Sequence, residues 1–241
     1  MANPQYDIAI IGGGMVGATM AIALAQLPLR IAIIEAFPFR SDQQPSYDAR
    51  SIALAYGSKR IFETLGVWNG MEQDACPIKK IHVSSQGQAG ATHLNAMDEG
   101  LDALGYVIEN RIIGNALLAQ IENYSNIELI CPASLDNLNI NADWAEVSIT
   151  QNGEAKTINT KLVIAADGAN SKVRELLGIQ STSKDYQQTA IISNVTPGKP
   201  HKNIAYERFT KDGPIAVLPM TDNRCSLVYT VSSDKVEETL A

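Results

Sequence analysis

Cysteine is scarce in this 241-residue chain, and Cys76, Cys131 and Cys225 are widely separated and odd in number. No C-x-x-C pair occurs, so neither a zinc ribbon nor a disulfide framework is indicated, and each thiol reads as a small buried apolar side chain. Histidine is equally sparse: His82, His93 and His201 have no metal-ligand spacing and read as surface or hydrogen-bonded residues. No serine–histidine–acid or paired-carboxylate constellation stands out, so a metal centre and a hydrolytic triad both lack candidates. Trp68 and Trp144 read as packing residues. Basic residues number 19 against 26 acidic ones, for a net charge of −7. Without a cationic face to neutralise phosphates, nucleic acid is excluded as a partner. No apolar run approaches the roughly 20 residues that span a bilayer, and no charged-then-apolar leader precedes the first strand. The expected location is therefore the cytoplasm. What is present, 45% hydrophobic and 19% charged residues, suits an ordinary globular protein rather than a disordered one.

The first thirty-five residues carry the strongest pattern. Tyr6 to Ile11 is a short isoleucine-rich run, as in a strand buried on both faces of a parallel sheet. Gly12-Gly13-Gly14 breaks it, Met15 to Leu27 is apolar on nearly every side and reads as a deeply packed helix, and Arg30 to Ile34 is a second buried strand ending at Glu35. Ala36 to Tyr47, with two prolines, reads as a loop. Further on, helices are expected over 57–65, 115–122 and 171–177, and strands over 78–85, 127–131 and 162–166. A hairpin turns at Asn152-Gly153 between Trp144 and Asn159. From residue 187 the pattern changes to strands without helices, over 190–195, 205–209, 215–220 and 226–231, which predicts an antiparallel sheet in a second region. Ser233 opens a helix with few residues left before Ala241; so short a helix does not close a domain, and the chain is expected to be cut within its second region.

Gly12-x-Gly14-x-x-Gly17 has the spacing of a dinucleotide-binding turn. Gly12 allows the tight turn, Gly14 lets backbone approach a pyrophosphate, and Gly17 lets the helix lie close to the strand. The pyrophosphate is expected at the helix start, on the amide groups of Gly14, Met15 and Val16, where free N–H groups and the positive dipole end favour an anion. Glu35 falls at the right reach for the ribose diol, and its carboxylate repels a 2′-phosphate. This unit alone does not separate FAD from NAD.

Three stretches narrow the choice. The glycine loop, Asp48-Ala49-Arg50-Ser51-Ile52-Ala53-Leu54, and Leu162 through Asp167-Gly168 to Arg174 resemble the three signatures of the single-component flavoprotein aromatic hydroxylases. Within that family the likeness, from residue 6 to about 231, is greatest to the ubiquinone-biosynthesis hydroxylases. Tyr206-Glu207-Arg208-Phe209, Gly213-Pro214, Leu218-Pro219-Met220 and Arg224 to Val228 carry it. The resemblance implies an α/β fold, with a Rossmann-like FAD-binding domain around a parallel sheet (residues 1–75 and 96–180). A partial antiparallel-sheet substrate domain (76–95 and 181–241) would complete the chain. It implies FAD as cofactor and NAD(P)H as electron donor. Arg50 would lie along the pyrophosphate, Arg111 would touch the flavin side, and Asp167 and Gly168 would approach the ribityl and phosphate region. Leu218 and Pro219 are candidates to line a substrate pocket.

The implied reaction is hydroxylation of the ring of a polyprenyl-methoxyphenol by O₂ through a flavin C4a-hydroperoxide. So apolar a substrate allows peripheral contact with the inner membrane, and a ubiquinone-biosynthesis complex is an expected partner. The chain departs from the family in lacking, after Asp167, the further Gly-Asp-Ala flavin motif, so these 241 residues alone are expected to bind FAD weakly and not to turn over. Two other readings stay open. One is a flavoprotein of the same fold with other chemistry, such as a prenyl reductase or halogenase. The other is a non-catalytic scaffold subunit of a quinone-synthesis assembly.

Overall fold

The computed structural model describes residues 5–38 and 50–240. In chain order its elements are β1 (Tyr6–Ile11), α1 (Met15–Leu24), β2 (Ile31–Ile34), β3 (Ser51–Ala55), α2 (Tyr56–Thr64), β4 (Cys76–Ile78), β5 (Lys80–Ser85) and β6 (Ala91–Asn95). There follow β7 (Gly105–Glu109), α3 (Asn110–Ile121), β8 (Ile127–Ile130), β9 (Ala133–Ile140), β10 (Ala145–Gln151), β11 (Glu154–Ala165) and α4 (Lys172–Leu176). The chain ends with β12 (Gln188–Val195), β13 (Ile204–Phe209), β14 (Pro214–Pro219), β15 (Cys225–Ser232) and α5 (Val236–Leu240). Two compact units result. Among the described residues, the first holds 5–38, 65–67 and 113–182, and the second holds 50–64, 68–112 and 183–240. These units do not coincide with the divisions read from the sequence: residues 50–64, 68–75 and 96–112 group with the second unit, where Ile78 of β4 and Val107 of β7 pack with Ala205 and Met220.

The first unit is built on a six-stranded sheet of order β8-β2-β1-β11-β10-β9. Its first four strands run parallel. β1 and β2 are buried along almost their whole length, with Ala9, Ile10, Ile31, Ala32 and Ile33 at zero exposure, which is why both read as unbroken apolar runs rather than alternating ones. One face carries Ala9, Ile11, Ala32 and Ile34 into a core with Ile130, Val147, Ile149, Ile158 and Val173. Toward the other face, the Ile10 side chain lies against the position of Gly17 in α1. β11 is expected from the sequence as two strands but is one. Tyr6 pairs with Thr160 and Ile11 with Ala165, while the earlier half of β11 forms the antiparallel hairpin with β10 that Asn152-Gly153 turns. Asn152 and Gly153 both adopt positive φ there, as a primed turn requires. Tyr6 is buried, and burial together with its hydrogen bond to Glu128 pushes its phenol above the ordinary tyrosine range.

The second unit contains the small sheet β3-β7-β4 and a six-stranded sheet of order β12-β15-β14-β13-β5-β6. The expected strands from residue 187 onward all form, within a residue or two of their predicted ends. The sheet is mixed rather than wholly antiparallel: β5, arriving from earlier in the chain, lies parallel to β13. Among the described residues, no helix is long and apolar enough to cross a membrane.

Cys76 and Cys225 are buried and Cys131 is partly exposed, and none of the three is in a disulfide. Burial, reinforced by the neighbouring Cys225, pushes the Cys76 thiol up to about 11, and burial raises that of Cys225 as well. Since the thiolate is the reactive species, iodoacetamide at pH 8 should label Cys131 alone in the native chain, and all three cysteines in denaturant. Mass spectrometry of tryptic peptides reads this directly.

Candidate functional site

Parallel strands leave their carboxyl ends on one edge, and in the first unit β1, β2 and β11 all finish there. β1 runs into Gly12, whose φ of +98° is a conformation that only glycine adopts without strain. The Gly12 N–H donates to the Ile34 carbonyl at 2.8 Å, and the Ala166 N–H donates to the Ile11 carbonyl at 2.8 Å, so the three strand ends are laced together. A Cβ on Gly12 would sit 2.4 Å from the Ala166 carbonyl oxygen. A Cβ on Gly17 would sit 1.9 Å from the Gly12 carbonyl oxygen. The roles expected of these two glycines, tight turn and close helix approach, match what the backbone demands there.

Gly14 is the N-cap of α1, with extended backbone and no side-chain cap. The first N–H groups of a helix have no intrahelical acceptor, so those at Met15 and Val16 are donors for a ligand at this end. The positive end of the helix dipole adds to their pull on an anion. Val16 is 71% exposed.

Across the loop stands Glu35, only 6% exposed. One carboxylate oxygen accepts the Gly13 N–H at 2.6 Å and the other accepts the Phe37 N–H at 2.9 Å. Its backbone is pinned too: the Glu35 N–H donates to the Ile130 carbonyl at 3.1 Å, and its carbonyl accepts from Ala133 at 2.7 Å. Each carboxylate oxygen has a second lone pair. A fixed carboxylate with spare acceptor capacity is suited to a vicinal diol.

These residues line one cleft of about 350 Å³. Gly12, Gly14, Glu35, Phe37, Leu135, Asp167, Gly168 and Lys172 all contribute to its wall. Of the residues expected from sequence, Gly12, Gly14, Glu35, Asp167 and Gly168, far apart along the chain, line this cleft, whereas Met15, Val16 and Gly17 do not contribute to its wall. Asp167 also anchors the chain that follows it. One of its carboxylate oxygens accepts the Ser171 hydroxyl at 2.6 Å and the other the Val173 N–H at 3.1 Å. It therefore holds the first turn of α4, beside Ser171, whose hydroxyl accepts the Arg174 N–H at 3.0 Å. Gly168 follows at φ +80°. Asp167→Ala should lower stability by about 1–2 kcal/mol through loss of these helix-start contacts, a drop of several degrees in a thermal melt.

Arg50 and Arg111 belong to the second unit. The Arg50 carbonyl accepts the Asn110 N–H at 2.8 Å; Asp48 and Ala49 of the same signature lie outside the described residues. The Arg111 Nε donates to Glu109 at 2.6 Å, and Arg224 meets the other oxygen of that buried carboxylate at 3.0 Å. Leu218 packs against Ile78, Val107, Ala205 and Met220, and Pro219 is buried.

Sequence reasoning does not single out Ala133, Ser134, Leu135, Asn170 or Lys172 as part of the cleft wall. Asn170 and Lys172 follow Asp167-Gly168 closely enough that the motif could have signalled them. Ala133 to Leu135 carry no motif; they reach the cleft because β9 begins just after β8, where the Ala133 N–H donates to the Glu35 carbonyl.

The residues present fit a dinucleotide on the chain's own chemistry: uncapped amides, a glycine turn that rejects a Cβ, and a buried carboxylate within one cleft. Comparison with known proteins agrees. A ubiquinone hydroxylase (UbiL) of Rhodospirillum rubrum is 34% identical over 240 residues, covering 100% of this chain and 55% of that protein. The 3-demethoxyubiquinol 3-hydroxylase of Escherichia coli is 34% identical over 242 residues, covering 99% and 60%. The chain thus spans a little over half the length of these curated relatives. Among solved structures, p-nitrophenol 4-monooxygenase PnpA of Pseudomonas putida superimposes with a TM-score of 0.81 at 16% identity, covering 97% of this chain and 60% of that one. The flavin-dependent halogenase CmlS gives 0.78 at 20%, covering 99% and 44%; likeness at that identity speaks to fold alone. Residues 5–240 match the FAD binding domain family, so the chain belongs to that family of flavoproteins, with FAD as its cofactor.

Proposed function

We propose that the whole protein is an FAD-dependent aromatic monooxygenase that hydroxylates the ring of a polyprenyl-methoxyphenol in ubiquinone biosynthesis, with NAD(P)H as electron donor and O₂ as co-substrate. The observation that carries this reading is the cleft at the ends of β1, β2 and β11, in a chain whose relatives include two quinone-pathway hydroxylases. Bound flavin would supply the redox and oxygen chemistry. The residues of this chain bind and orient it.

In this reading the pyrophosphate rests on the amides of Gly14, Met15 and Val16, with Gly12 and Gly17 shaping the approach, and Glu35 accepts the ribose hydroxyls. Arg50 forks onto phosphate oxygens. Asp167 and Gly168 lie toward the ribityl chain. Arg111 serves the flavin side, its guanidinium oriented by Glu109 rather than freely rotating. Leu218 and Pro219 line the phenol pocket. The six-stranded sheet of the second unit is the substrate domain, and the substrate's apolar tail brings the protein to the inner-membrane surface, within a quinone-synthesis complex.

A second reading is a flavoprotein with other chemistry, since the fold, shared with a halogenase structure at a TM-score of 0.78, does not by itself select the reaction. Oxygen uptake by the full-length protein separates them. The first reading expects NAD(P)H oxidation and O₂ consumption that rise severalfold on adding a prenylated methoxyphenol, with a hydroxylated product. Halide-dependent product, or NAD(P)H oxidation indifferent to the phenol, would contradict it.

A further inference from the structure

His82 and His93 take no part in the cofactor cleft. They stand directly opposite each other on the antiparallel strands β5 and β6. The Nδ1 of His82 and the Nε2 of His93 are 2.8 Å apart, and the two rings meet edge-on at 4.7 Å. Tyr206, opposite His82 on β13, stands on its other side with ring centroids 5.6 Å apart. His82 is half-buried and His93 exposed on an edge strand.

Two neutral imidazoles at this distance share one proton, and the same two nitrogen positions can present two lone pairs to a metal cation. With metal–nitrogen bonds of about 2.0–2.1 Å, two ligands at a right angle sit about 2.9 Å apart, and two at the tetrahedral angle about 3.3 Å. The observed 2.8 Å matches the right angle. Square-planar and tetragonal sites are the habit of divalent copper and nickel, and copper binds most tightly in the divalent series.

We propose that His82 Nδ1 and His93 Nε2 form a two-histidine site for divalent copper, with nickel as the weaker alternative and water in the remaining positions. On binding, the proton between the rings moves through solvent to the far nitrogen of its own imidazole, so both rings stay neutral and the cation's charge is the only one added. The strand pairing fixes the spacing of the two Cβ atoms beforehand, which spares the chelate part of its ordering cost. Among the described residues no group of three or more His, Cys, Asp or Glu is placed to hold a metal, so this is an open surface chelate and not a closed structural centre. Lys80 and Arg208 lie on the same face of the sheet, two residues from His82 and Tyr206, and their charge tempers the affinity for a dication.

The test uses the chain as it stands. It has three histidines, and both ring nitrogens of His201 are already engaged: Nε2 at 3.0 Å from the Met220 carbonyl oxygen, and Nδ1 accepting the Asn203 N–H at 3.0 Å. A copper spectrum with two imidazole nitrogens therefore reports on the His82–His93 pair. Titration with CuCl₂ followed by electron paramagnetic resonance should show one copper per chain with hyperfine structure from two nitrogens. His82→Gln and His93→Gln should each weaken binding at least about tenfold, since even the loss of a ligand's supporting partner costs that much, and should each leave one imidazole nitrogen. His201→Gln should leave both. Circular dichroism confirms that the variants fold. Copper bound through one imidazole or none in the native chain, or with an affinity that neither His82→Gln nor His93→Gln changes, overturns the proposal.

Discussion

Gly17→Ala should cost the chain about 3 kcal/mol or more, at the severe end of overpacking substitutions. The added Cβ would sit 1.9 Å from the Gly12 carbonyl oxygen and 3.2 Å from a methyl of Ile10. Neither neighbour can retreat. The Gly12 N–H is bonded to the end of β2 and its φ is already +98°, while Ile10 is fully buried. Relief therefore requires α1 to lift from β1, uncovering Ala18, Ala21 and Ile22, which the helix buries. At about 2–4 °C per kcal/mol for a chain of this size, the melting temperature should fall by roughly 6–12 °C. The flavin site should be lost with it, because the helix start that meets the pyrophosphate moves. Gly57→Ala is the matched control: it lies in α2 with nothing within 4 Å of the new methyl, and should be neutral or slightly stabilising. A pair of thermal melts followed by circular dichroism decides the matter. Equal melting temperatures would show that the close approach of α1 to β1 is wrong.

Glu35→Gln should leave the fold largely intact and lower FAD affinity by about a hundredfold, or ~2.7 kcal/mol. The carboxylate has two acceptor oxygens, one on the Gly13 N–H and one on the Phe37 N–H, with a lone pair left on each for the ribose hydroxyls. An amide keeps the shape but replaces one acceptor by a donor, which then faces an N–H. One buried donor is left unpaired at a cost of about 1–3 kcal/mol, and hydrogen bonds to a charged acceptor, each worth about 1.5–3 kcal/mol, are lost to the ligand. Titration by quenching of flavin fluorescence reads the affinity. A melt without FAD reads the stability loss separately. A change below about threefold with the fold intact would remove Glu35 from the ribose contact.

The β1–α1–β2 unit is legible in the sequence because its residues act locally. Strands buried on both faces read as apolar runs, and the glycines answer to a turn and an approach set by their near neighbours. The ends of β1 and β2 fall within a residue or so of their expected places. By contrast α1 stops at Leu24 with Ala25 as its cap, short of the expected Leu27, because apolar composition alone does not mark where a helix frays. Other elements are hidden by pairing across long separations. Ser51–Ala55 reads as part of a cofactor signature, and its identity as β3 comes from β7, a partner distant in the chain. β9, with Asp136, Asn137 and Asn139 along it, carries no strand pattern in the sequence and is not among the expected elements. It is a sheet-edge strand buried chiefly at Ala133 and Leu138. That is why the cleft wall from Ala133 to Leu135 carries no signal in the sequence, whereas Asp167 and Gly168 do. The parallel placement of β5 beside β13 is out of reach for the same reason, since pairing direction is not written in either strand's composition.

The flavoprotein reading of this chain rests on where a diphosphate settles. The most direct measurement is a ¹H–¹⁵N NMR titration of the isotopically labelled chain with ADP, which carries the pyrophosphate and ribose without the flavin. The largest amide shifts are predicted at Gly12 to Gly17, with Glu35 and Phe37 moving in step and saturating together, and 2′-phosphorylated adenosine diphosphate binding more weakly. Shifts that leave Gly14, Met15 and Val16 unmoved while another surface responds would contradict it.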